Sequence, residues 1–352
     1  MGDASRRAAL FGLIGGTFIV AATFVALGVD EVYRGDPQTF RLVAEDPFGD
    51  GSLLLADPDV FAHGTAYRYG RILFPLLAWV LSTVTTLDVT VTLAAMSVFG
   101  LGFTGAAAGA LIDDRDVDAD RAILVLFVPT LWSSAAFGYA EPVAVAFLLA
   151  AVAAGLGRRW AWFGLWFALV LLTREAFVIP LAPFVWSQIR ATGWSTTART
   201  VAPGVVVYVG WLGWVRSQTG LWSFLDPSVS RTDAVGPPIL SYLEAVRDGD
   251  GAVGPLIGST IVALLAIAGV IAAVCIVPRA WHRDRDVALA FACAVALGLF
   301  VGPQGYRFSG DGLRVLLPGH LLLVVLLVRN PGLLRRSAPA ESRTEPVEVP
   351  SP

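Results

Sequence analysis

Eleven apolar runs, separated by short polar segments, limit what this chain can fold into more than any other feature. They lie near residues 9–28, 71–87, 89–112, 122–138, 140–157, 160–173, 175–188, 200–215, 255–278, 286–303 and 313–328. A water-soluble domain cannot bury so many such runs at once, whereas a bilayer solvates apolar side chains and forces the backbone to satisfy its own hydrogen bonds, which a helix does. Composition points the same way. The 352 residues are 56% hydrophobic and 15% charged, with a mean hydropathy of +0.69, against about 45–50% apolar and 25% charged for soluble domains. The expected fold class is an all-α polytopic membrane protein.

All 25 basic residues are arginine, the usage of a GC-rich bacterial or archaeal genome. The formal net charge of −3 leaves no basic surface to track a phosphate backbone, so nucleic acid is set aside as a partner. Cys275 and Cys293 both fall inside apolar runs and have neither a metal-ligand spacing nor a disulfide framework.

Orientation follows from the arginines. The segments "GRR" (157–159), "SQIRATGWSTTART" (187–200), "PRAWHRDR" (278–285) and "RNPGLLRR" (329–336) hold most of the loop arginines, and the positive-inside rule puts them in the cytoplasm. The alternating segments "FGYAEP" (137–142), "TRE" (173–175), 216–254 and "PQGYRFSGDG" (303–312) then face outside, as does 29–70. Run 9–28 is read as a retained helix with Arg6 and Arg7 in the cytoplasm, not as a cleaved signal. Parity then requires one run not to cross. Run 122–138, with Pro129 and Ser133–Ser134, is read as a re-entrant pair of half-helices. The expectation is about ten transmembrane helices plus one re-entrant segment in a single transmembrane domain, 1–336, with both termini cytoplasmic in a plasma membrane. It carries a long first extracytoplasmic loop (29–70) and a second outer loop (216–254). Residues 337–352, rich in Pro, Ser and Glu, form a disordered tail.

The outer face gathers ionisable residues from the ends of different runs: Asp30, Glu31, Asp36, Asp46, Arg68, Arg71, Glu141, Arg174, Glu175, Arg307 and Arg314. Charges at a membrane boundary are costly unless paired or solvated, which makes them a functional hypothesis by default. Blander readings stand beside it. Arginines at helix ends snorkel to headgroups, Asp-Pro is ordinary turn chemistry for Asp36 and Asp46, and Glu141 ahead of Pro142 suits a helix N-terminus. Arg174 stands apart because it sits between two short runs beside Glu175, where an internal ion pair or a ligand contact is expected.

The stretches "DPQTFRLVAEDPF" (36–48), "AYRYGRILFPLLAWVLS" (66–82), "LLTREAF" (171–177) and "DGLRVLLP" (311–318) resemble those of bacterial membrane proteins related to the GT-C glycosyltransferases. Relatives of that kind read Asp-Gly-Gln-aromatic-aromatic, where this chain has Pro37 for the glycine and Thr39 for one aromatic. The resemblance implies a GT-C-like fold and transfer of a sugar from a polyprenyl-phosphate donor to a lipid or glycan acceptor on the extracytoplasmic face. On that footing Asp36 is the general base or the group that orients the acceptor, with Glu141 as a second acid that holds the acceptor or a metal ion. Arg174, followed by Arg71 and Arg314, binds the donor phosphate through the guanidinium fork. Asp46, Arg68, Glu175 and Arg307 support them. A segment such as 48–70 can cover the site as an amphipathic lid.

His63 with scattered acids does not make a metal site, so no tightly bound metal and no cofactor are expected, with assistance by a divalent cation left open. Two other functions stay in view. One is a transporter or flippase for a lipid or small solute; the other is a non-catalytic scaffold on the same fold. A transporter is expected to carry broken helices, mid-membrane charges and an internal repeat. Here the charges collect at one face and no repeat is evident. The orientation has a direct test: single cysteines at Ser52 and Ser309 are expected to react with a membrane-impermeant thiol reagent on intact cells, and one at Ser187 only after the membrane is opened. Labelling of the Ser187 variant from outside reverses the orientation.

Overall fold

The computed structural model describes residues 2–28, 32, 36–49, 66, 69–112, 117–223, 241–244, 253–300 and 309–334. Among them the chain is helical, with no strand. The helices are α1 (Asp3–Leu27), α2 (Asp36–Glu45), α3 (Leu73–Thr85), α4 (Val89–Ala110), α5 (Pro129–Ala136), α6 (Glu141–Leu156), α7 (Trp160–Thr173), α8 (Ala182–Thr192), α9 (Trp194–Thr219), α10 (Val253–Ala280), α11 (Arg285–Leu299) and α12 (Ser309–Arg329), with 3-10 turns at Ala119–Phe127, Glu175–Leu181 and Pro331–Leu334.

Among the described residues three helical segments, Asp3–Leu27, Val89–Ala110 and Ile257–Ala280, are long and apolar enough to cross a membrane. The first and third keep most of their apolar surface open: Phe18, Val25, Leu264 and Val274 are all exposed. A continuous apolar face of that kind needs an apolar solvent or a partner. Helices α3, α6 and α7 are apolar but shorter, at 13, 16 and 14 residues, and at ~1.5 Å per residue each reaches about 20–24 Å. Run 122–138 divides at Val128, whose extended backbone separates the 3-10 turn from α5. Pro129 begins α5, a position where its missing N–H costs nothing.

The tightest helix pair is α1 against α4, and small residues make it so. Ala4, Ala8, Gly12 and Gly16 recur every fourth residue on the buried side of α1. They face Leu101, Gly102, Gly105 and Gly109 of α4, where a Cβ at Gly105 would stand 2.2 Å from the Ala8 carbonyl oxygen and one at Gly109 2.3 Å from the Ser5 Cα. With lipid as apolar as leucine there is little hydrophobic drive between helices, so close backbone approach across small residues supplies the attraction. Asp88 caps α4 by accepting from the Thr90 amide at 2.7 Å. Bonds from the Thr90 side chain and amide hold the Asp88 carboxyl below the usual carboxylate range.

Helix α4 then carries α6, because Gly100 lies against the Pro142–Val143 backbone and the Thr104 hydroxyl donates to the Pro142 carbonyl at 3.2 Å. Helices α6, α7, α11 and α12 share the main core, built around Leu148, Phe163, Phe177, Phe184, Phe291 and Leu321. Helix α2, inside the segment expected to be an outer loop, packs Phe40 and Ala44 with Phe74 and Ala78 of α3, Leu93 of α4, and Ala140 and Val143 beside the start of α6. The segment is therefore partly helical, and its apolar side joins the bundle. Most of 48–70, with its expected lid and His63, lies outside the described residues, as does the tail 337–352.

The end of the bundle remote from Glu141 is closed by a second polar cluster. Arg329, at the end of α12, forks onto Asp284 at 3.1 and 3.2 Å, and Asn330 donates to the same carboxylate at 2.6 Å. Arg329 also donates to the Leu111 carbonyl. Both members of the ion pair are almost fully buried, at 1% and 2% exposed. Arg329, which the sequence assigns to a cytoplasmic loop segment, ties α12 through its guanidinium to the segment ahead of α11 and to the end of α4.

Substituting Gly105 with Leu is expected to force α1 and α4 apart and lower stability by about 1–3 kcal/mol or more, the usual effect of overpacking. Gly213→Ala, where an added Cβ meets nothing within 4 Å, is expected to be neutral or slightly stabilising. Thermal unfolding of the purified variants in one detergent compares them, and equal melting of G105L and wild type contradicts this packing.

Candidate functional site

The site is built where five chain segments end. Helix α6 begins at Glu141, α7 stops at Thr173, α3 begins just after Arg71, α12 carries Arg314 in its early turns, and α2 packs alongside with Asp36 as its first residue. The turn into α6 needs Gly138, whose φ of +68° falls in the left-handed region that glycine enters without cost. That turn sets Tyr139 beneath Arg314, with the guanidinium carbon 4.0 Å from the ring centroid, a cation–π contact.

Arg174 owes its direction to a break in the chain. Its φ of −157° and ψ of 97° interrupt the helix between α7 and the following 3-10 turn. The backbone stays satisfied, since the Arg174 amide donates to the Val170 carbonyl at 2.7 Å and the Phe177 amide donates to the Arg174 carbonyl at 2.9 Å. The side chain turns inward to Glu141, with Nη1 2.7 Å from Oε1, and the Phe177 ring lies 5.6 Å from its guanidinium. From the other side Arg314 places Nη1 3.7 Å from the same oxygen. Glu141 is completely buried. A carboxylate with no access to water is held between two guanidiniums.

Glu175, the sequence neighbour expected to pair with Arg174, takes a different partner. Arg71 forks onto it at 3.3 Å through Nε and 3.2 Å through Nη2, while Arg174 remains close enough to act on its charge. Among the described residues, Arg71, Arg174 and Arg314 thus meet Glu141 and Glu175. Exposure of the side chains rises across the cluster, from 0% at Glu141, 5% at Arg314 and 8% at Arg174 to 13% at Arg71 and 34% at Glu175. The charged interior therefore opens on the side of Arg71 and Glu175.

An aromatic group stands next to that opening. Trp211 and Trp214 of α9 stack at 4.5 Å, and Phe48 meets Trp79, Trp211 and Trp214 edge-on. The Trp211 indole donates to the Tyr69 carbonyl at 2.6 Å, and the Tyr69 hydroxyl donates to the Asp46 carbonyl at 3.2 Å. These bonds fix the backbone two residues ahead of Arg71. Sequence reading did not single out this group, although the Trp211–Trp214 spacing puts both rings on one helix face.

Of the residues expected at a site, Glu141, Arg174, Arg314, Arg71 and Glu175 come together. Asp46 ends up in the turn after α2, its carboxylate over Gly49, and enters the site only through its carbonyl. Arg68, Arg307 and the side chain of Asp36 lie outside the described residues. Pro37 occupies the first turn of α2 and Thr39 is 1% exposed beneath it. Proline suits a helix start, and Thr39 is packed inside. No group of three or more His, Cys, Asp or Glu residues that could hold a metal ion occurs among the described residues. Compared with known proteins, the chain matches no family model, no curated protein and no solved structure.

Removing one member of a buried ion pair leaves a charge without compensation, which typically costs about 3–5 kcal/mol. Glu141→Gln is therefore expected to destabilise the protein by that order, and Arg174→Met in the same chain to restore part of the loss. The check is a double-mutant cycle read by unfolding. Unchanged stability of the E141Q variant rules out the ion pair.

Proposed function

We propose that this chain is a multi-pass membrane glycosyltransferase of the GT-C type, in a bacterial or archaeal plasma membrane with both termini cytoplasmic. It transfers a sugar from a polyprenyl-phosphate donor to a lipid or glycan acceptor at the extracytoplasmic face. The observation that carries this reading is the gathering of Arg71, Arg174 and Arg314 around Glu141 and Glu175, nearly closed at Glu141 and opening at Glu175. Three guanidinium forks brought to one opening favour a phosphate over a carboxamide or a neutral sugar.

In the reaction, the acceptor hydroxyl oxygen bonds to the anomeric carbon of the donor as the bond from that carbon to the phosphate oxygen breaks. The hydroxyl proton passes to a base, and the polyprenyl phosphate leaves with the electron pair. Arginine charge near the leaving oxygen lowers the barrier by stabilising what develops there. Arg71 is the most accessible of the three and would meet the phosphate first, with Arg174 behind it.

Glu141 suits a positioning role better than catalysis, since it is sealed from water and spends its charge on two arginines. The base then falls to Asp36, the first residue of a helix docked against the start of α6. The buried ion pairs lie at the ends of the helices, not in their middle, which favours a transferase over a transporter.

Asp36→Asn keeps size and hydrogen bonding but cannot take a proton, so transfer is expected to fall about 10²–10⁴-fold with the folded protein retained. Arg174→Lys keeps the charge facing Glu141 and loses the fork, and is expected to lower transfer at least ten-fold. Membranes carrying each variant, supplied with radiolabelled polyprenyl-phosphate sugar, provide the measurement. Wild-type transfer in D36N removes Asp36 from the site, and wild-type transfer in R174K removes the phosphate role of Arg174.

A further inference from the structure

A groove of about 670 Å³ runs along the bundle at the end remote from Glu141, between α4, α6 and α7 and beside the start of α1. Its floor is made shallow by alanines such as Ala106 and Ala153, and one wall is aromatic, from Phe103, Trp162 and Trp166. Trp162 and Trp166 stack at 6.2 Å, and Trp166 stacks in turn on Phe147 at 5.9 Å. Trp162 is 56% exposed, so this wall is finished on one side only. Arg159 also lines the groove, as do Ser5 and Arg329, the last already forked onto Asp284. Arg159 is exposed, as is its neighbour Arg158, and among the described residues neither has an acidic partner.

We propose that this groove binds one anionic phospholipid, with the headgroup phosphate on Arg159 and an acyl chain along the alanine floor against Trp162 and Trp166. The charge pattern selects the occupant. A largely apolar trough with an exposed arginine, Arg159, in its lining and a tryptophan wall fits a molecule with an anionic head and a hydrocarbon tail. A peptide would bring backbone polar groups that nothing along the alanine floor can satisfy. A zwitterionic lipid would present its cationic part to the same two arginines. The site is separate from the charged cluster at Glu141, which lies at the other end of α6, about 22–24 Å away along the helix.

The inference rests on the membrane reading of the chain and not on the transferase reading, because sugar transfer takes no part in its test. The full chain is extracted from membranes in detergent and titrated with phosphatidylglycerol or phosphatidylcholine, with binding read by native mass spectrometry. Recovery of the chain in water without detergent rejects the membrane reading before any lipid is added. In the wild type, phosphatidylglycerol is expected to bind at least ten-fold more tightly than phosphatidylcholine. Arg159→Gln is expected to remove that preference, a loss of about ten-fold or roughly 1.4 kcal/mol, while Arg199→Gln, another exposed arginine on α9, leaves it intact. Ala153→Trp fills the floor and is expected to weaken both lipids at least ten-fold. Equal binding of the two lipids by wild type overturns the proposal. So does an R159Q variant that behaves like R199Q, or an A153W variant that binds as wild type does.

Discussion

Glu141, fully buried with Arg174 at 2.7 Å and Arg314 at 3.7 Å, is the interaction on which the rest of the site depends. Isolating a carboxylate from water costs several kcal/mol even after relaxation, and here that cost is offset by the charge of two nearby guanidiniums, since neither Glu141 oxygen accepts a well-aligned hydrogen bond. Each partner comes from a different part of the chain, so the pair fixes where α6 starts, where α7 must stop and how α12 is rotated. The extended backbone at Arg174 is best understood in this light. A helix continued through Arg174 would carry its side chain elsewhere, and Glu141 would lose its nearest cation.

A second buried pair, Asp284 with Arg329, stands at the opposite end of α12, fifteen residues or about 22 Å from Arg314. Between the two clusters the contacts are almost wholly apolar. Apolar faces against other apolar faces or lipid slide and rotate at little cost, while a forked arginine on a carboxylate does not. Helix α12 is thus pinned at both ends, and the α1–α4 pair, locked by glycines, supplies the rigid wall on which α6 and Glu141 rest. The opening lined by Arg71 and Glu175 is the feature that such a frame holds in place.

Much of this was legible from the sequence. The apolar runs located the major helices, and Pro129 marked a real interruption. The charged residues at run ends included all five members of the cluster. The pairing was not legible. Sequence adjacency suggested Arg174 with Glu175, but consecutive residues at a helix break point in different directions, and the carboxylate that Arg174 reaches is thirty-three positions earlier. Helix α2 was hidden because ten residues that include two acids and an arginine read as a polar loop until a core exists for Phe40 and Ala44 to join. Arg329 was read only for its side of the membrane, because charge counting cannot see that Asp284 waits inside. The four-residue spacing of Ala4, Ala8, Gly12 and Gly16 was present to be read, and was masked by the general abundance of alanine and glycine.

The central claim is that the arginine cluster is a phosphate site. It is tested most directly by an experimentally determined structure of the full chain in a lipid nanodisc with a short-chain polyprenyl phosphate. The account predicts the phosphate within hydrogen-bond distance of Arg71 or Arg174, on the side where Glu175 is exposed, with Glu141 still held between Arg174 and Arg314. A phosphate bound elsewhere, with the Arg71–Glu175 and Arg174–Glu141 pairs untouched, would contradict it.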